Sequence, residues 1–150
     1  KWFLQMGDFR DQMVRQDIPR PNAIFYDPYS HTVNLELWTL DFFKQLRNSL
    51  DDSIPCMWTN YTRSTVMRVT LLLAGFHVGV GSTIGEKEET TVATNRMDLL
   101  TSPLDEKWLK RVKLSQSANP IRGSEMKVEP ISESDWKELL TQKQFQHLAL

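Results

Sequence analysis

Strand-like and helical segments that alternate and then give way to a hairpin predict an α/β fold for this chain. Three observations carry that expectation. A continuous apolar run, Ala23 to Tyr26, stops abruptly at Asp27; Leu37, Leu40, Phe43, Leu46 and Leu50 recur at helical spacing; and two strand-like runs, 76–80 and 90–94, flank a turn-rich segment with Gly79, Gly81 and Gly85. A chain of 150 residues, 40% hydrophobic and 25% charged, can bury a sizeable core.

Taken in order, Trp2 to Gln5 reads as a strand, and Gly7 permits a turn into a short helix, Asp8 to Arg15, with Phe9 and Met13 on one face. Pro19 and Pro21 close that unit. The run from Ala23 to Tyr26 has the composition of a buried parallel strand. After a turn over Ser30 to Asn34 comes the amphipathic helix, with Lys44, Arg47 and Asn48 outside, ended by Asp51-Asp52-Ser53. Ile54 to Thr59 is a further short strand, and Ser64 to Leu73 a strong helix that Gly75 stops. The next two strands form an antiparallel hairpin. Beyond Asn95 the character changes: Leu104 to Val112 forms a helix, Ser115 to Val128 a polar loop, and Ser132 with Asp135 a capping box opening a last helix through Trp136, Leu139 and Leu140. Residues 1–95 are thus expected to form the α/β body, and 96–150 a helical appendage folding back so that Trp108 and Trp136 leave water.

The net charge of -1 gives no bulk attraction to nucleic acid, so an RNA partner needs a local basic patch. A single cysteine, Cys56, forms no internal disulfide and fits a reducing, cytoplasmic setting. No apolar run approaches the ~18 residues of a membrane span. His31, His77 and His147 lie in different elements, and no metal centre is expected from them. Glycine-rich phosphate loops and the G-x-S-x-G elbow are absent. Starting within a strand-like run without an initiator Met, the chain reads as a piece of a longer polypeptide.

Asp27-Pro28-Tyr29 is the informative stretch. On dipeptide statistics it is a turn. Its position says more, because ligands of open α/β sheets collect beyond the carboxyl ends of strands, where Asp27 stands. Carboxylate, backbone carbonyl and ring there suit an exocyclic amine, whose hydrogens the oxygens accept.

Asp27-Pro28-Tyr29-Ser30 with Asn34, Glu36-Leu37-Trp38-Thr39, Tyr61-Thr62, Arg68, Ala74-Gly75-Phe76 and Gly85-x-Lys87 together resemble the MnmC-type tRNA methyltransferases, in order along residues 2 to 94. That resemblance implies the carboxyl-terminal part of a class I, Rossmann-like sheet using S-adenosyl-L-methionine to methylate the aminomethyl group on the wobble uridine of tRNA. It implies that Gly7-Asp8-Phe9 is the third cofactor motif, with Asp8 near the adenine amino group and Phe9 beside it. Asp27 then serves as the catalytic acid beside the methyl acceptor, and with Pro28 also borders the cofactor. Tyr29, Ser30, Asn34, Trp38, Tyr61 and Lys87 fall on the substrate side. His31 and Leu35 replace two family prolines and Val33 a lysine, while Glu86, Glu88 and Glu89 surround Lys87, so this loop and hairpin are less rigid and less basic. The family's glycine-rich first motif and ribose-binding acid are expected upstream of Lys1. Of its strand order three, two, one, four, five, seven, six, the fragment is expected to hold one edge strand and the opposite four. The isolated chain is expected to bind the cofactor weakly, and its exposed sheet edges to allow a homodimer. Alternatives from the residues alone are a methyltransferase for another amine, in a DNA base or small molecule, and a non-catalytic α/β interaction module.

Overall fold

The computed structural model describes residues 3–82 and 89–148. Four strands form one sheet: β1 (Ala23–Phe25), β2 (Met57–Asn60), β3 (His77–Gly81) and β4 (Thr90–Thr94), in the order β1-β2-β4-β3. The first pair is parallel; β4 runs antiparallel to both its neighbours. This is the mixed α/β, Rossmann-like arrangement with a terminal hairpin that the resemblance implies. It matches the final four strands of the expected order.

Five helices accompany the sheet: α1 (Phe9–Gln12), α2 (Leu40–Ser49), α3 (Thr65–Leu73), α4 (Glu106–Leu114) and α5 (Glu133–Leu140). Local chemistry sets most of their ends. Thr39 opens α2 by accepting the Phe42 N–H at 3.2 Å, and Asp105 opens α4 by accepting that of Trp108 at 2.8 Å. Gly75, at φ 92°, closes α3 in a Schellman motif: its N–H donates to Leu72 O at 2.9 Å, and that of Phe76 to Leu71 O at 3.1 Å. Only a residue tolerant of positive φ fits there. Half of the capping box expected at α5 forms: Ser132 Oγ accepts from Asp135 N–H at 3.1 Å, while the Asp135 carboxylate takes the Ser132 hydroxyl at 2.8 Å in place of its backbone N–H. Arg122 adds a two-pronged ion pair to Asp135 at 3.1 and 2.6 Å.

A single apolar core runs from Phe43, Leu46 and Trp58 through Leu71 and Val78 to Leu109, Ile121, Leu139 and Phe145. Residues 96–150 therefore share their buried surface with the sheet. The 102–104 segment lies along β3, where Val80 N–H donates to Ser102 O at 2.8 Å and Leu104 N–H to Val78 O at 3.0 Å. Gly79 is required by this approach, since a Cβ there would stand 2.6 Å from Ser102 O.

Three expectations need correction. Phe3 to Gln5 form no strand; Phe3 and Leu4 are exposed, so strand-type residues without a neighbouring ladder stay irregular. The first helix is one turn, Phe9–Gln12, because Met13 already caps it. The run from Ala23 is parallel to its neighbour but not buried on both faces: Ile24 packs on the core while Phe25 is 88% exposed.

Candidate active site at the carboxyl ends of the strands

Asp27 follows the last ladder bond of β1, in which Tyr26 N–H donates to Thr59 O at 3.0 Å. The tyrosine is the anchor of the turn. Its ring contacts Trp38, Phe42, Phe43 and Trp58 at centroid distances between 5.2 and 6.0 Å, and its hydroxyl donates to Leu37 O. Burial, with a smaller push from Glu36, raises the Tyr26 phenol far above its ordinary value and keeps it a donor. The chain therefore leaves the core at a fixed point, and Asp27 is exposed immediately beyond it.

The turn then bends sharply. Tyr29 has φ 74°, the one positive φ at a non-glycine position among the described residues, and its side chain is 73% exposed. Backbone strain at a non-glycine residue persists where surroundings enforce it. Here the Tyr61 hydroxyl donates to Tyr29 O at 2.9 Å, and Ser30 O accepts the N–H groups of Val33 and Asn34 at 3.1 and 2.9 Å. Ser30 Oγ meets Thr32 Oγ1 at 2.8 Å.

Two recesses flank Tyr61. One, of about 430 Å³, is lined by Phe25, Asp27, Asn60, Tyr61, Ser82 and Thr90. The other, of about 210 Å³, is lined by Ser30, His31, Trp38, Tyr61, Thr62 and Ser64, with Ile121 closing it. The structure thus brings Asp27, Ser30, Trp38 and Tyr61 together, with Pro28 and Tyr29 in the connecting turn. Trp38 is a buried wall rather than an exposed platform, its ring edge-on to Tyr26 and to His31. Asn34 opens the 3-10 turn Leu35–Leu37 and makes no side-chain cap bond. Lys87 lies outside the described residues.

Asp8 and Phe9 line neither recess. Phe9 packs against Phe42 at 6.1 Å and borders a separate apolar cavity of about 360 Å³ with Met13, Pro19, Ala23 and Ile24. Asp8 caps α1 by accepting Arg10 N–H at 2.9 Å and is gripped by the Arg10 guanidinium, which holds its carboxyl down to about 2. Sequence reasoning missed Asn60. Its side chain is buried, donates to Tyr26 O at 2.6 Å and accepts from Thr62 N–H at 2.7 Å, tying the ends of β1 and β2 together beside Asp27. An Asn at the end of a strand has the signature of a turn residue, which hides this role.

Residues 2–96 match the family described as S-adenosyl-L-methionine-dependent methyltransferase. The chain belongs to this methyltransferase family. It is similar to the crystal structure of MnmC2 from Aquifex aeolicus, with a TM-score of 0.63 and 31% identity over 95% of this chain and 44% of that one. An uncharacterized protein of Methanocaldococcus jannaschii is 25% identical over 119 residues, which is 79% of this chain and 33% of that protein. The chain therefore spans a third of the Methanocaldococcus protein and under half of the MnmC2 chain. No described helix is long and apolar enough to cross a membrane, and no group of three or more metal-binding side chains occurs among the described residues.

Proposed function

We propose that this chain forms the methyl-acceptor side of an S-adenosyl-L-methionine-dependent N-methyltransferase acting on the aminomethyl group of the tRNA wobble uridine. The observation that carries the reading is Asp27, exposed at the carboxyl end of β1 on a turn fixed from both sides. Likeness to MnmC2, whose chain this one resembles over 95% of its own length, supports the choice of family branch. The tRNA substrate and partner belong to this proposal.

When bound, S-adenosyl-L-methionine supplies a methyl group carried on a positively charged sulfur. The residues present fit that end of the cofactor: the Asp27 carboxylate and the rings of Phe25 and Tyr61 border one recess, and aromatic faces suit a cation. For the adenine end the fit is poorer, because Arg10 already occupies both Asp8 oxygens. Asp27 accepts an N–H of the incoming amine, aims its lone pair and favours the positive charge that grows on nitrogen as the N–C bond forms. No covalent enzyme nucleophile is needed. Ser30, Asn34 and Lys87 remain the proposed polar contacts to the substrate.

Asp27→Asn in the polypeptide carrying this chain should lower the rate of methyl transfer by about 10²–10⁴-fold, with cofactor affinity little changed. The measurement is transfer of labelled methyl groups to tRNA, followed by nucleoside mass spectrometry. An unaltered rate sinks the role of Asp27, and a label on another amine sinks the tRNA assignment. Calorimetric titration of the 150-residue chain alone should show weak cofactor binding; a micromolar Kd would contradict it.

A further inference from the structure

Arg68 is the most fully buried charged residue among the described residues, 2% exposed, on a helix whose other buried side chains are apolar except Thr70. A guanidinium taken out of water is costly unless every donor finds an acceptor. Arg68 Nε donates to Thr91 Oγ1 at 3.0 Å, Nη2 to Thr90 O at 3.1 Å and Nη1 to Glu89 Oε1 at 3.3 Å. Burial still lowers its pKa, against the pull of Glu89.

The bond to Thr91 has a directional consequence. A hydroxyl that receives a charge-assisted N–H has one proton left to give, and Thr91 gives it to Thr62 O at 2.6 Å. Thr62 N–H is already held by Asn60 Oδ1, and Thr62 Oγ1 accepts from Ser64 N–H at 3.1 Å. The 60–64 segment is thereby fixed at each polar group of Thr62. From that segment two bonds run to the turn carrying Asp27, one on each side of it: Asn60 Nδ2 to Tyr26 O, and the Tyr61 hydroxyl to Tyr29 O.

We infer that Arg68 is a positioning residue for Asp27, acting through the Thr91 hydroxyl, Thr62 and Tyr61 to hold the acceptor turn from the far side of the sheet. The significance of the inference for methyl transfer rests on the role proposed for Asp27. Its geometric content does not.

The chain has three tyrosines, at 26, 29 and 61, so a sample labelled with carbon-13 at tyrosine Cζ gives three signals, which Tyr61→Phe assigns. In Arg68→Met the Tyr61 signal should move while that of Tyr26 stays. Amide exchange at 29–31 and 61–64 should accelerate by roughly tenfold or more, with α5 unchanged. Arg68→Lys, which keeps the charge but not the fork, should recover part of the Tyr61 shift. Thr91→Val breaks the same relay while leaving Arg68 its bonds to Thr90 O and Glu89, so it gives the signature even where Arg68→Met folds poorly. A stationary Tyr61 signal in Thr91→Val, or protection lost evenly along the chain, overturns the inference. None of these readouts involves methyl transfer, so failure of the proposed function is recorded separately, by the labelled-methyl assay.

Discussion

Two rows of residues cross the sheet one position apart, and they part most at the β1 edge. Ile24, Trp58, Ala93 and Val78 stand in register facing α2 and α3; Phe25, Thr59, Val92 and Gly79 stand in register on the other face. In the first row Trp58 is 1% exposed, while in the second Phe25 is 88% exposed. Side chains on a strand alternate between faces, so adjacent and equally apolar residues separate where a layer covers one face only, as it does at β1. The lesson is that apolar character in a strand records what each face is fit to touch. Which contacts exist depends on the layers present.

The strongest attempt to break this contrast is Trp58→Ala. Its ring packs against Tyr26 at 5.2 Å and Phe43 at 5.9 Å, so truncation should cost about 3–5 kcal/mol by chemical denaturation. A loss below about 1 kcal/mol means that the covered face is not the core. Next in size, Thr39→Ala removes the cap of α2 and should cost about 1 kcal/mol. Thr39→Ser should restore most of it, and equal losses in the two variants refute the capping role.

On the open face, Phe25→Ser should change stability by no more than about 0.5 kcal/mol, since almost nothing is uncovered by it. A large loss there shows that Phe25 is covered in solution. The smallest effect is confined to α1. Because the Asp8 carboxyl is depressed to about 2 by Arg10, its capping contribution is complete above the ordinary value of 3.8 and lost as pH falls through about 2. Carbon NMR of the Asp8 carboxyl should titrate with the α1 amide shifts. A midpoint at the ordinary value removes the ion pair from solution.

Legibility in the sequence followed how local the determining chemistry is. Gly75, the Ser132 cap and the 3.6-residue spacing of Phe43 and Leu46 act within a few residues, and the structure has all three where the sequence places them. Trp2 to Gln5 illustrates the limit: β-propensity is present, yet pairing is a property of a neighbour, and Phe3 to Gln5 have none in the described ladder. Ile121 illustrates another. It lies in the stretch read as a polar loop, but it is buried and its carbonyl accepts the first N–H of α2, from Leu40 at 2.8 Å. The turn after β1 was visible through the Asp27 string. Its supports were not, because Asn60, Thr91 and Arg68 act across 23 to 34 positions of chain, through bonds to two carbonyls and one hydroxyl, which leave no residue pattern.

The outer edge of β3 carries a consequence for growth of the sheet. Val78 N–H donates to Gln144 Oε1 at 2.8 Å, and Val78 O accepts from Gln144 Nε2 at 2.7 Å, so one side chain imitates the backbone of an adjacent strand. Gln144 Nε2 also donates to Leu104 O at 3.1 Å, welding that mimic to the segment alongside. Every outward backbone group of Val78 is spent. Sheet extension is therefore polar: β3 is a terminus, and any added strand has to enter beside β1, next to the turn that carries Asp27.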